Sequence, residues 1–242
     1  MRNTKAIFLK QWMSQLKSPV MLVQAGIFLA MVLVFTFLFD ESDCYDCVPA
    51  VVCYDCEGGA SDMPTPNMAG MFAVIFVGMA MISSASGLVA EDKSTHNFRF
   101  MAMADVKPHE YLLGTTAAVW FLSIGVLVLY ALVGRNFGMD FLWFMAITVP
   151  GALVSVLLGL AIATSKAPWL TMPLSFLYGM GPMLAAENES LAAIIRFTST
   201  QQVRLSLADS TYLLESFTII ALNGVGMILL LAYTHRKGKL LA

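Results

Sequence analysis

The chain has 242 residues, 58% of them hydrophobic and 12% charged, with a formal net charge of −2 and a mean hydropathy of +0.75. Soluble domains are about a quarter charged, so this composition excludes a water-soluble domain of this length. No basic block points to nucleic acid as a partner.

The first element is a helix over residues 4–18. At about 100° per residue, Phe8, Leu9, Trp12, Met13 and Leu16 gather on one side, and Lys10, Gln11, Ser14, Gln15 and Lys17 on the other. That pattern predicts an amphipathic elbow helix lying in the headgroup boundary, lysines toward anionic lipid. Ile7 interrupts the polar face, and Pro19 ends the helix. A basic leader that only sets topology accounts for the same residues; the functional alternative also touches a cytoplasmic partner.

Six apolar stretches follow: Val20–Phe39, Ala69–Ala90, Tyr111–Val133, Phe141–Ala163, Trp169–Ala186 and Ser216–Tyr233. Roughly 20 apolar residues in a helix cross the hydrocarbon core, so the expected fold is an all-α integral membrane protein with six transmembrane helices. The first stretch is read as a span rather than a signal peptide, because Phe-Asp-Glu-Ser-Asp follows it in place of a small-residue cleavage site. The fifth holds Pro173, Pro182, Gly179 and Gly181, which predict a kink or an early end. If six spans alternate, eleven Lys and Arg residues fall on one side (Arg2, Lys5, Lys10, Lys17, Lys93, Arg99, Lys107, Lys166, Arg236, Lys237, Lys239). Arg135, Arg196 and Arg204 fall on the other. The positive-inside rule then puts both termini in the cytoplasm of a multi-pass protein of the plasma membrane. One transmembrane domain, 1–242, is expected, with no internal repeat.

The outer loop 40–68 carries seven acidic residues and all four cysteines, as Cys44-Tyr-Asp-Cys47 and Cys53-Tyr-Asp-Cys56. Two disulfides, a tetrathiolate zinc site and thiol exchange all fit paired Cys-x-x-Cys units. The extracytoplasmic side favours disulfides, and the short spacing between the pairs weakens the metal.

The cytoplasmic segment 91–110 holds Phe98, Phe100, Met101 and Met103 beside Arg99. A plain polar connector needs none of these apolar residues; on a short helix they form a docking surface. Pro108 starts a fresh helix that runs into the third span. An acidic residue ends span 2, a Thr follows, then an apolar-basic short helix, then Pro108-His-Glu-Tyr-Leu-Leu-Gly114. This order resembles the cytoplasmic loop of type-2 ABC transporter permeases, the membrane subunits of ATP-driven exporters, whose layout also has an elbow helix, six spans and cytoplasmic termini.

The resemblance implies that Glu91 and Thr95 sit at the ATPase contact and that Phe98, Arg99, Phe100, Met101 and Met103 form the coupling helix. It also implies a second permease copy or a paralogue, and short re-entrant outer helices within 187–215 that cap a path lined by spans 2 and 5. The chain carries no phosphate-binding Gly-x-x-x-x-Gly-Lys-Ser/Thr loop. ATP and magnesium therefore belong to a separate nucleotide-binding subunit, and this chain is expected to bind no cofactor and to be no enzyme itself.

In segment 187–215, Leu191, Ile194 and Ile195 share a helical face near Arg196, Gln201 and Gln202. Either a surface amphipathic helix or a segment dipping into the outer leaflet fits, the latter only where its backbone is helical or buried. Within the spans the polar groups are Gln24, Ser83, Ser84, Ser86 and Asn223, which ordinarily serve helix packing. Asn223, with Gly179 and Gly181, is the alternative path lining. The absence of mid-span Asp, Glu, Lys or His argues against a proton-coupled pump and suits an apolar or amphipathic cargo. His96, His109 and His235 lie near the cytoplasmic surface without metal-ligand spacing. Two rival functions stay open: a membrane thiol-disulfide oxidoreductase using the paired cysteines, and a non-transporting sensor or anchor.

Overall fold

The computed structural model describes residues 2–17, 19–39, 68–103, 106–134, 138–165, 167–185, 189–208 and 210–237. The described residues are helical or turn, with no strand among them. The loop 40–67, with Cys44, Cys47, Cys53 and Cys56, lies outside them, as do Arg135 and Lys166.

Helix α1 (Arg2–Lys17) stops where Pro19 opens α2 (Pro19–Phe39). Helix α3 (Met68–Ile75) passes through a π-helical turn, Phe76–Ala80, into α4 (Met81–Ser94). A turn at Thr95–His96 leads to α5 (Asn97–Met103). His96 takes the left-handed conformation there, φ 57°, and its N–H donates to Lys93 O, the kind of bond that commonly ends a helix. Helix α6 (Pro108–Val133) begins at the proline expected to start it, and the Lys107 N–H donates to Glu110 Oε2 at 3.2 Å. Then come α7 (Met139–Thr164), α8 (Thr171–Leu184), α9 (Glu189–Ile195), α10 (Ser199–Ala208) and α11 (Leu213–Lys237).

Among the described residues, four helices are long and apolar enough to cross a membrane: Gly70–Ser94, Pro108–Val133, Met139–Thr164 and Leu213–Tyr233. Helix α2 contributes a shorter apolar run, Val23–Val34, among its described side chains. The fifth stretch differs most from expectation. Residues after Pro168 form a 3-10 turn, and α8 itself has 14 residues, ending two past Pro182. It is about 21 Å long, against about 30 Å of hydrocarbon.

The α3–α4 rod is the centre of the bundle, with 78% of its apolar window buried against 11% for α11. It packs on α7 and α8, while α7 also receives α6 and α11. Backbones meet closely at glycines. A Cβ on Gly78 would overlap the backbone of Tyr178 and Gly179 in α8. One on Gly159 of α7 would stand 2.6 Å from Ile82 O in α4, and one on Gly151 would stand 2.6 Å from Val203 in α10. Small residues at such crossings let dispersion forces act between helices that have no hydrophobic drive in lipid.

Alanine at Gly78 is expected to destabilise the bundle by about 1–3 kcal/mol through overpacking. Alanine at Gly125, where nothing lies within 4 Å of the new carbon, should be neutral or stabilising by up to about 1 kcal/mol. Thermal unfolding of the two variants in detergent checks the contrast.

Candidate functional site: a carboxylate hub at the 91–110 segment

The last turns of α4 point Asp92 inward. Ala85, Leu88, Val89 and Asp92 recur at helical spacing and all are buried, Asp92 at 4% exposure. A carboxylate in that position must collect donors, and it does. Lys10 Nζ donates to Oδ1 at 2.9 Å and Gln11 Nε2 to Oδ2 at 2.6 Å, both from α1. Asn97 Nδ2, at the start of α5, donates to Oδ1 at 2.9 Å. Tyr111 OH, in the first turns of α6, donates to Oδ2 at 2.9 Å. One side chain thus joins four helices. The Phe98 ring packs edge-on against the Tyr111 ring, centroids 5.1 Å apart, and seats α5 on the same cluster.

Helix α1 lies along α6. Its protein-facing stripe is Ile7, Gln11 and Gln15, all buried. Ile7, which interrupts the polar face in sequence, is therefore the anchor: it rests on Gly114, where a Cβ would come within 2.8 Å of its side chain. Leu9, Met13 and Leu16 are exposed on the other side, and Phe8 and Trp12 are half-buried, their rings stacked at 5.7 Å.

The residues singled out from sequence fall into different places. The Glu91 side chain is exposed; its carbonyl accepts from Thr95 N, Thr95 Oγ1 and Ser94 Oγ, which closes the helix end. Phe98 is buried, Met101 half-buried, and Met103 is 75% exposed. Arg99 and Phe100 lie on α5, with side chains outside the described set. Asp92 was not singled out; continuing the buried period from Ala85 and Val89 would have found it.

At the other end of the bundle, α9 and α10 fill the interval between α8 and α11. Ile195 is buried and stands 3.5 Å from a Cβ built on Gly181, whereas Ile194 is exposed. Gln202 accepts from Ser216 Oγ at 2.8 Å and donates to Arg196 O. Arg204 donates to Pro182 O, and Asn223 donates to Phe197 O and Ile219 O. Asn223 thus ties α11 to the α9–α10 link, and Gly179 and Gly181 sit at helix contacts.

Replacing Asp92 by alanine strands the buried donors of Gln11 and Tyr111, at about 1–3 kcal/mol for each unsatisfied group. The expected result is a lowered unfolding temperature and faster hydrogen exchange in α1. Glu91→Ala should stay within about 0.5 kcal/mol of the parent, as exposed substitutions do.

The profile of the ABC-2 type transporter family matches residues 2–188, a stretch that contains α1, the Asp92 hub and the glycine crossings. No curated protein and no solved structure matches the chain. With a match over most of its length and several helices apolar enough to cross a bilayer, the chain is a multi-pass membrane permease of the ABC-2 type transporter family.

Proposed function

We propose that this chain is the membrane-spanning subunit of an ATP-driven exporter, moving an apolar or amphipathic cargo with energy from a separate ATPase that docks on the 91–110 segment. Helix α1 is the interfacial elbow, and α2, α3–α4, α6, α7, α8 and α11 are the six spans. Helices α9 and α10 form the re-entrant cap that completes the short fifth crossing. Both termini face the cytoplasm of the plasma membrane, the outer cysteines close as disulfides, and a second copy or a paralogue supplies the other half of the path. ATP and magnesium bind to the partner subunit.

The observation that carries this reading is the Asp92 hub. It fastens α5 to the inner end of the central rod, to α1 and to the start of α6. A displacement of α5 by a docked protein is thereby passed to two spans and the elbow together. Phe98 holds α5 in place from beneath, while Met103 and the exposed Glu91 are the groups offered outward.

Affinity capture in mild detergent tests it. The intact chain should recover a nucleotide-binding ATPase. Met103→Asp puts a charge into the contact and should weaken recovery by roughly thirtyfold, the scale of one interface hot spot of about 2 kcal/mol. Asp92→Ala should also weaken it, by loosening α5. Capture of no ATPase under conditions that preserve other membrane complexes would overturn the exporter reading and direct attention to thiol exchange at the outer cysteines.

A further inference from the structure

A groove of about 570 Å³ opens at the end of the bundle that carries the 91–110 segment, between α4, the last turn of α7 and the start of α8. Its size is that of clefts that hold ligands, roughly 300–1,000 Å³. Its lining takes Ser86, Gly87 and Ala90 from one face of α4, the exposed Lys93 a turn further along that face, and Pro168 and Thr171 from the segment that opens α8. The hydroxyls are turned back onto their own helices: Ser86 donates to Ser83 O, Ser94 to Glu91 O and Thr171 to Pro168 O.

That leaves Lys93 as the charged group of the groove. Its ammonium donates to Ala163 O in the last turn of α7 and makes no ion pair among the described residues. An ammonium has three donors, so two are left for a ligand. The neighbouring carboxylate, Asp92, is occupied by its own four donors. Next in sequence to the lining residues Pro168 and Thr171, Trp169 and Met172 are 72% and 82% exposed, and exposed aromatic residues of this kind are common at a membrane boundary.

We infer that this groove binds an anionic amphiphile, its phosphate or carboxylate headgroup on Lys93 and its chain along Ser86, Gly87 and Ala90. The inference deepens the exporter reading by naming the cargo class. One cation in an otherwise apolar groove is complementary to one negative head on an apolar tail; a free phosphate would leave the apolar walls unused.

The full-length chain in phosphatidylcholine nanodiscs tests this without an ATPase, so failure here leaves the exporter reading standing. Brominated phosphatidylglycerol should quench tryptophan fluorescence at about tenfold lower mole fraction than brominated phosphatidylcholine, the scale of one charge-assisted hydrogen bond. Lys93→Gln keeps an N–H for Ala163 O but removes the charge, and should abolish the preference; Lys93→Arg should retain it. Gly87→Leu, at a position with no atom within 4 Å of a new Cβ, should fold normally and block both lipids. An undiminished preference in Lys93→Gln, unchanged quenching in Gly87→Leu, or displacement of the lipid by inorganic phosphate would each overturn the proposal.

Discussion

A carboxylate sealed among helices cannot stay there without donors, and Asp92 draws its four from three other helices. This requirement organises one end of the molecule. It fixes the azimuth of α1, because only one face of that helix can present Lys10 and Gln11 together. It fixes where α5 starts and how far α6 extends below the bundle. The next residue works in another direction: Lys93 reaches the closing turn of α7. Two adjacent charged residues on α4 thus secure α1, the short α5 and the two long helices α6 and α7.

Elsewhere the bundle relies on contact rather than charge. Gly78 and Gly159 let the central rod meet α8 and α7 at backbone distance, and Gly151 leaves room on α7 for the Val203 side chain of α10. Side-chain hydrogen bonds tie α9 and α10 to α8 and α11, although Ser199, Thr200, Gln201 and Ser206 of α10 each keep a buried side-chain oxygen without a partner among the described residues. The Arg196–Glu215 ion pair in that region is exposed on both partners and adds little by itself. The buried Gln202–Ser216 bond is the stronger tie, and the half-buried Asn223 adds a second link to the Phe197 carbonyl.

Much of this is legible in the sequence, for identifiable reasons. The long helices follow from apolar length, and Pro19 and Pro108 mark the helix starts that the structure shows. The 91–110 segment stands out because Phe98, Met101 and Met103 are costly in a polar connector. What escapes is anything decided by a helix rotation of about 100°. Glu91 and Asp92 are chemically alike, and only the buried period of α4 separates the exposed carboxylate from the hub. Ile7 reads as a flaw in an amphipathic pattern because α1 has two apolar sides, Ile7 against α6 and Leu9, Met13 and Leu16 exposed opposite it. Composition alone does not show that Gly179 packs against Met79, that Gly181 faces Ile195 and Leu177, or that Asn223 reaches the carbonyl of Phe197.

The hub also sets an order of assembly. Its donors are far apart in the chain: Lys10 and Asp92 are separated by 82 residues, and Tyr111 follows later still. At a synthesis rate of about 5–20 residues per second, α1 emerges roughly 4–16 s before its carboxylate exists. During that interval its buried stripe, Ile7, Gln11 and Gln15, has neither Asp92 nor Gly114 to rest on. Lipid is the surface already at hand, and Leu9, Met13 and Leu16 suit it. The two-faced character of α1 thus matches a helix whose Ile7 stripe can dock only once α4 and the start of α6 have been made.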